Sequence, residues 1–105
     1  MKIYIAGSIT NNPNYKEDFA SAERRVMEMG YVPLNPCKNE GFTYKEYIDM
    51  GLNELSKCDA ILMLNGWMKS AGANLEHQYA LTIGMTVYFD FIHEIKTSND
   101  LLLRK

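Results

Sequence analysis

Apolar residues along this chain fall into short blocks whose spacing alternates between two periods. Lys2 to Ala6 (KIYIA) is a β-rich run that stops at Gly7-Ser8, and Ile9 to Asn14 (ITNNPN) carries turn chemistry. From Tyr15 to Met29 the apolar Phe19, Ala22, Val26 and Met29 share one helical stripe. Lys16, Glu17, Asp18, Glu23, Arg24, Arg25 and Glu28 fill most of the remainder as a solvated face, and Gly30 ends the helix. Tyr31 to Leu34 is a second short strand, closed by Pro36, with a loop over residues 35–43. Thr43-Tyr44-Lys45-Glu46 has the spacing of a capping box and predicts a helix start. Its core stripe is Ile48, Leu52 and Leu55, with Tyr44 or Tyr47 near its entrance. Gly51 interrupts that helix at about 1 kcal/mol relative to alanine, which implies either close helix packing, the commoner reason, or room for a ligand.

Ala60 to Leu64 has the length and unbroken apolarity of a buried parallel strand. A polar loop, Asn65 to Gly72, follows. An amphipathic segment begins near Ala73 with Leu75, Tyr79, Thr82 and Ile83 at helical spacing, Gly84 stands at C′, and Met85 to Asp90 reads as the next strand. Strand–helix alternation throughout predicts one doubly wound α/β domain over residues 1–105, Rossmann-like or flavodoxin-like, with four or five parallel strands. Residues 91–105, with Phe91, Ile92, Ile95 and Leu101 to Leu103, form a C-terminal extension, expected either as a short last helix or as a segment packed on a partner subunit.

Composition narrows the partners. Eleven Lys and Arg against 13 Asp and Glu give a net charge of −2 in 105 residues, so neither a nucleic-acid polymer nor an anionic membrane is expected. The two cysteines, Cys37 and Cys58, lack any CxxC or HxxxH company and read as ordinary thiols, with no metal or cofactor implied. The N-terminus enters a strand directly and no apolar run reaches membrane-spanning length, which gives a cytoplasmic expectation.

Two polar loops follow strands, Gly7-Ser8-Ile9-Thr10 and Ser70-Ala71-Gly72-Ala73, and a parallel sheet brings both to the edge where such folds bind ligands. Serine hydroxyls and free N–H groups at helix starts suit a phosphate or carboxylate. Neither GxGxxG nor GxxxxGK[ST] occurs. Glu76, in the first turn of its helix, either complements the helix dipole or places a carboxylate in the crevice. His77 points about 100° away from it. Trp67 either stacks on a base or caps the core, and Asp59 reads as a turn or cap residue.

Tyr4-Ile5-Ala6-Gly7-Ser8-Ile9, Cys58-Asp59-Ala60 opening an apolar strand, and Ser70 six residues before Glu76 resemble the nucleoside 2-deoxyribosyltransferase superfamily. The first motif and the Ser-to-Glu spacing are similar to its 2′-deoxynucleoside 5′-phosphate N-hydrolase branch. Gly66-Trp67-x-x-Ser70-x-Gly72-Ala73-x-x-Glu76 resembles small bacterial and phage members. The resemblance implies N-glycosidic chemistry on a nucleotide or nucleoside, without a cofactor. Glu76 would be the nucleophile at the anomeric carbon, and Tyr4 would hold the nucleophile or the sugar. Gly7, Ser8, Ile9 and Ser70, with Trp67, Gly72 and Ala73, would contact the substrate. It also implies a homodimer or higher homo-oligomer. The family's aspartate that assists base departure corresponds to Gly51; the nearest carboxylate, Asp49, lies about 200° round the helix. Two functions follow. Glu76 favours an enzyme, a deoxyribonucleotide N-hydrolase or deoxyribosyltransferase. The glycine favours a binder without turnover, for example a phage protein in the host cytoplasm sequestering an immune signalling nucleotide.

Overall fold

The structure, a computed structural model, describes residues 1–10, 12–38, 41–91 and 94–97. In chain order it has β1 (Lys2–Ala6), α1 (Tyr15–Glu28), β2 (Val32–Leu34), a 3₁₀ turn (Pro36–Lys38), α2 (Tyr44–Ser56) and β3 (Ala60–Met63). A second 3₁₀ turn (Trp67–Lys69), α3 (Ala71–Thr82), β4 (Thr86–Phe91) and β5 (Glu94–Thr97) complete it. The strands form one sheet in the order β2-β1-β3-β4-β5. The first four run parallel, with β1 between β2 and β3. This is the expected single Rossmann-like α/β architecture.

Alternation along β1 explains the layering. Ile3 and Ile5 pack with Phe19, Ala22 and Val26 of α1 on one side of the sheet. Tyr4 and Ala6 face the other side, with Leu55 of α2 and Ala73 and Ala80 of α3. Both faces of β1 and β3 are buried, which is why these strands read as continuous apolar runs. Asp59 staples the two strand starts: its carboxylate accepts from the Lys2 N–H at 2.8 Å, and its own N–H donates to the Lys2 carbonyl at 2.8 Å.

Helix α2 begins at the capping box read from sequence. The Thr43 hydroxyl accepts from the Glu46 N–H at 3.2 Å, and the Glu46 carboxylate accepts from the Thr43 N–H at 2.9 Å. Gly84, at φ 75°, follows α3 as expected.

Three expectations need correction. Of the two readings of the C-terminal extension, a helix does not form over Glu94–Thr97; that segment pairs antiparallel with β4, Asp90 opposite Ile95, beside the four parallel strands. Ile92 and Leu101 to Leu103 lie outside the described residues. Arg25 does not belong to the solvated face of α1, because its guanidinium forks onto the buried Asp90 carboxylate at 2.5 and 2.7 Å. The stripe assigned to α3 is also displaced. Leu75 and Ile83 stand exposed, while Ala73 and Ala80 are buried. Tyr79 of the expected stripe does pack on the core, and Glu76 falls on the same inward side at i+3 from Ala73.

Candidate functional site

A cleft of about 700 Å³ opens at the carboxyl ends of β1 and β3, within the size range of small-molecule sites. Gly7, Ile9 and Thr10 of the loop after β1 form one wall. Ser70 to Ala73 and Glu76, at the start of α3, form a second. Tyr44, Tyr47, Ile48 and Gly51 of α2 form a third, and Tyr15, Pro36, Cys37 and Lys69 close the remainder.

Beneath the cleft lies Tyr4, 1 % exposed, on the strand face that looks toward α2 and α3. Its hydroxyl donates to Oε2 of Glu76 at 2.5 Å, joining side chains 72 positions apart. The seat for this pair is made by α2. A Cβ built on Gly51 would stand 2.7 Å from Oε2 of Glu76 and 3.0 Å from the Tyr4 hydroxyl. Glycine at position 51 thus leaves room for the Glu76 carboxylate and the Tyr4 hydroxyl, and it lines the cleft itself. Gly72 serves similarly at the α2–α3 contact, since a Cβ there would meet Cδ1 of Ile48 at 3.1 Å.

Burial dominates the electrostatics. It pushes the Glu76 carboxyl up to about 7; the Tyr4 hydrogen bond opposes that rise and the charge of Glu54 adds to it. Burial and then the neighbouring Glu76 charge raise the Tyr4 phenol far above its ordinary range, so it stays a hydrogen-bond donor. The Cys37 thiol is pushed up to about 12, again by burial, with Lys16 acting in the other direction. Such a thiol is a poor nucleophile.

On the same wall as Glu76, Ser70 caps α3, its hydroxyl accepting from the Ala73 N–H at 3.2 Å. The N–H groups of Ala71 and Gly72 precede the first internal bonds of the helix, and the Ser70 hydroxyl proton is still available to donate. With Lys69 on the same wall, this end favours an anion.

The structure thus gathers Gly7, Ile9, Ser70, Gly72, Ala73 and Glu76 around one hollow, with Tyr4 under it. Three other candidates lie elsewhere. The Ser8 hydroxyl donates to the Thr10 carbonyl at 3.3 Å, within its own loop, and is not part of the wall. Trp67 stacks on His77, ring centroids 4.4 Å apart, and packs on the core under α3 rather than in the cleft. Asp49 is exposed and accepts from Nζ of Lys45 at 2.7 Å, on the side of α2 turned away from the cleft. Sequence reasoning missed Tyr15, Tyr47, Cys37 and Lys69 as wall residues. The recurrence of tyrosine just inside the starts of α1 and α2 was the available signal.

The chain belongs to the family described as Domain of unknown function (DUF4406), whose model matches residues 1–89. No curated protein matches it. Among solved structures it is similar to the 2-desoxiribosyltransferase from Leishmania mexicana, with 23 % identity and a TM-score of 0.67 over 84 % of this chain and 62 % of that one. It is also similar to the 2-deoxyribosyltransferase from Bacillus psychrosaccharolyticus, with 18 % identity and a TM-score of 0.68 over 89 % of this chain and 77 % of that one. The chain therefore spans under two thirds of the length of the Leishmania protein. These likenesses show a nucleoside 2-deoxyribosyltransferase-like fold.

Proposed function

We propose that this DUF4406 member binds a nucleotide or nucleoside in the cleft and cleaves or transfers its N-glycosidic bond, with Glu76 as the nucleophile. The observation that carries this is the short bond from the Tyr4 hydroxyl to Glu76 at the floor of a cleft of about 700 Å³. A carboxylate beside an oxocarbenium-like centre is the basic requirement of glycosyl chemistry. Tyr4 fixes Oε2, leaving Oε1 without a partner among the described residues and available to attack.

The sugar lies over Glu76, and a 5′-phosphate lies toward the start of α3, where Ser70, Lys69 and the free N–H groups converge. The base then rests between the tyrosines and Ile48. Attack by Glu76 on the anomeric carbon breaks the bond to the base and gives a glycosyl-enzyme ester. Water or a second base resolves it. The reading includes a homo-oligomer; the exposed Leu75, Leu81 and Ile83 on the outer side of α3 support it, and light scattering checks it.

Incubation with (deoxy)nucleotides, followed by chromatography, should show free base, and Glu76→Ala should abolish its release. A protein that binds these ligands with no base released by the wild type is the non-catalytic binder. That second function is favoured by the setting of Glu76: burial pushes its carboxyl up to about 7, toward the protonated form, which does not attack.

A further inference from the structure

Cleaving an ordinary N-glycoside leaves a basic nitrogen that must be protonated as it departs, and glycosidic sites normally supply a second acid for this. Among the described residues, Glu76 is the only carboxylate on the cleft wall, and no histidine stands there. Asp49 is exposed beyond the wall, and His77 is stacked on Trp67. The Tyr4 phenol and Cys37 thiol hold their protons too firmly to release them to a departing base. The wall does carry three tyrosines, Tyr15, Tyr44 and Tyr47, whose ring faces attract a cation. A cation bound over the floor would also favour the ionised form of Glu76, countering the burial that otherwise suppresses it.

We propose that the substrate carries a leaving group that is already a ring cation, such as a pyridinium or an N7-alkylated purine, so that departure needs no acid. This rests on the glycosidic role of Glu76 given above. The bond from the anomeric carbon to the ring nitrogen breaks, its electron pair neutralises the ring, and a Glu76 oxygen forms an ester to the sugar. Water then attacks the anomeric carbon, the ester carboxylate leaves, and the surplus proton passes to solvent. One proton is released for each cationic glycoside hydrolysed, whereas a neutral base would take that proton up. Glu76 is faced by Tyr4 from β1 and Glu54 from α2, and Lys69 from the turn before α3 lines the same cleft. The Tyr4 phenol, raised far above its ordinary range by burial, keeps its proton. Turnover should therefore rise with pH as Glu76 ionises and then level off.

Matched pairs that differ by one methyl group and one charge test this. Guanosine 5′-monophosphate is compared with its N7-methyl form, and the 2′-deoxy pair likewise, each rate corrected for uncatalysed base loss. The expected result is kcat/KM at least about 10² higher for the methylated member, the lower bound of what a missing acid costs. It should come with loss of turnover in Glu76→Gln and, at a pH low enough that the methylated ring keeps its N1 proton and its positive charge, with one proton released per base. Comparable or faster release from the unmethylated members overturns the inference while the glycosidic function stands. Binding without base release from any of the four overturns both.

Discussion

Replacing Gly51 by alanine tests the placement on which the site depends. The added methyl would lie 2.7 Å from Oε2 of Glu76 and 3.0 Å from the Tyr4 hydroxyl, both well inside ordinary contact. Tyr4 cannot yield, because its side chain is locked in the core at 1 % exposure. The Glu76 carboxylate, at the end of a longer and more flexible side chain, must move instead and release its bond to Tyr4. Two energies compete in the folded state. Alanine gains about 1 kcal/mol of helix propensity over glycine, and overpacking a buried contact costs about 1–3 kcal/mol. The expected net loss is about 0–2 kcal/mol, read as a fall in the thermal midpoint of about 0–10 °C for a domain of this size. The loss of function should be far larger, about 10²-fold in base release, because a displacement near 1 Å at a reacting atom has that consequence. Calorimetry and base-release chromatography on the same sample give both numbers. A variant stabilised by about 1 kcal/mol with unchanged turnover would refute the seating of Glu76 against α2.

Three further outcomes follow from the same geometry. Tyr4→Phe removes the hydrogen bond that holds the Glu76 pKa down, so the inflection of the pH–rate profile should move upward from about 7. A bond to a charged group worth about 1.5–3 kcal/mol makes that shift about one to two pH units. Glu76 itself should make stability pH-dependent. Its folded pKa of about 7 lies above the ordinary value of 4.5, so its contribution is fully present below 4.5 and disappears as pH rises through 7. At 1.36 kcal/mol per pH unit the difference amounts to about 3 kcal/mol, and urea titrations of Glu76→Gln should lack that decline between pH 4.5 and 7. Arg25→Ala strands the buried Asp90 carboxylate and should cost about 3 kcal/mol in urea unfolding. Base release below the unfolding transition should be unchanged.

Where a segment's own periodicity decides its environment, the sequence was sufficient. The continuous apolar run Ile3-Tyr4-Ile5-Ala6, the Phe19–Ala22–Val26 stripe and the Thr43–Glu46 capping box each carry their structure in residues that are neighbours along the chain. Those local signals, repeated, define strand–helix alternation and hence the α/β class, and they bring the two glycine-bearing loops to one edge of the sheet. Tertiary packing decided everything that depends on residues far apart. Helix α3 turns Ala73, Ala80 and Tyr79 toward the core and half-buries Glu76 against Tyr4, leaving Leu75 and Ile83 exposed. The Arg25–Asp90 pair, 65 positions apart, is invisible to helical periodicity, which assigns the arginine to water. Gly51 carries the same lesson. Along the chain it is a gap in a helix and a missing acid; in three dimensions it is the space into which the carboxylate of Glu76 fits. Propensity and pattern act over a few residues, whereas a distance between two side chains is fixed only when the sheet and its helices have packed.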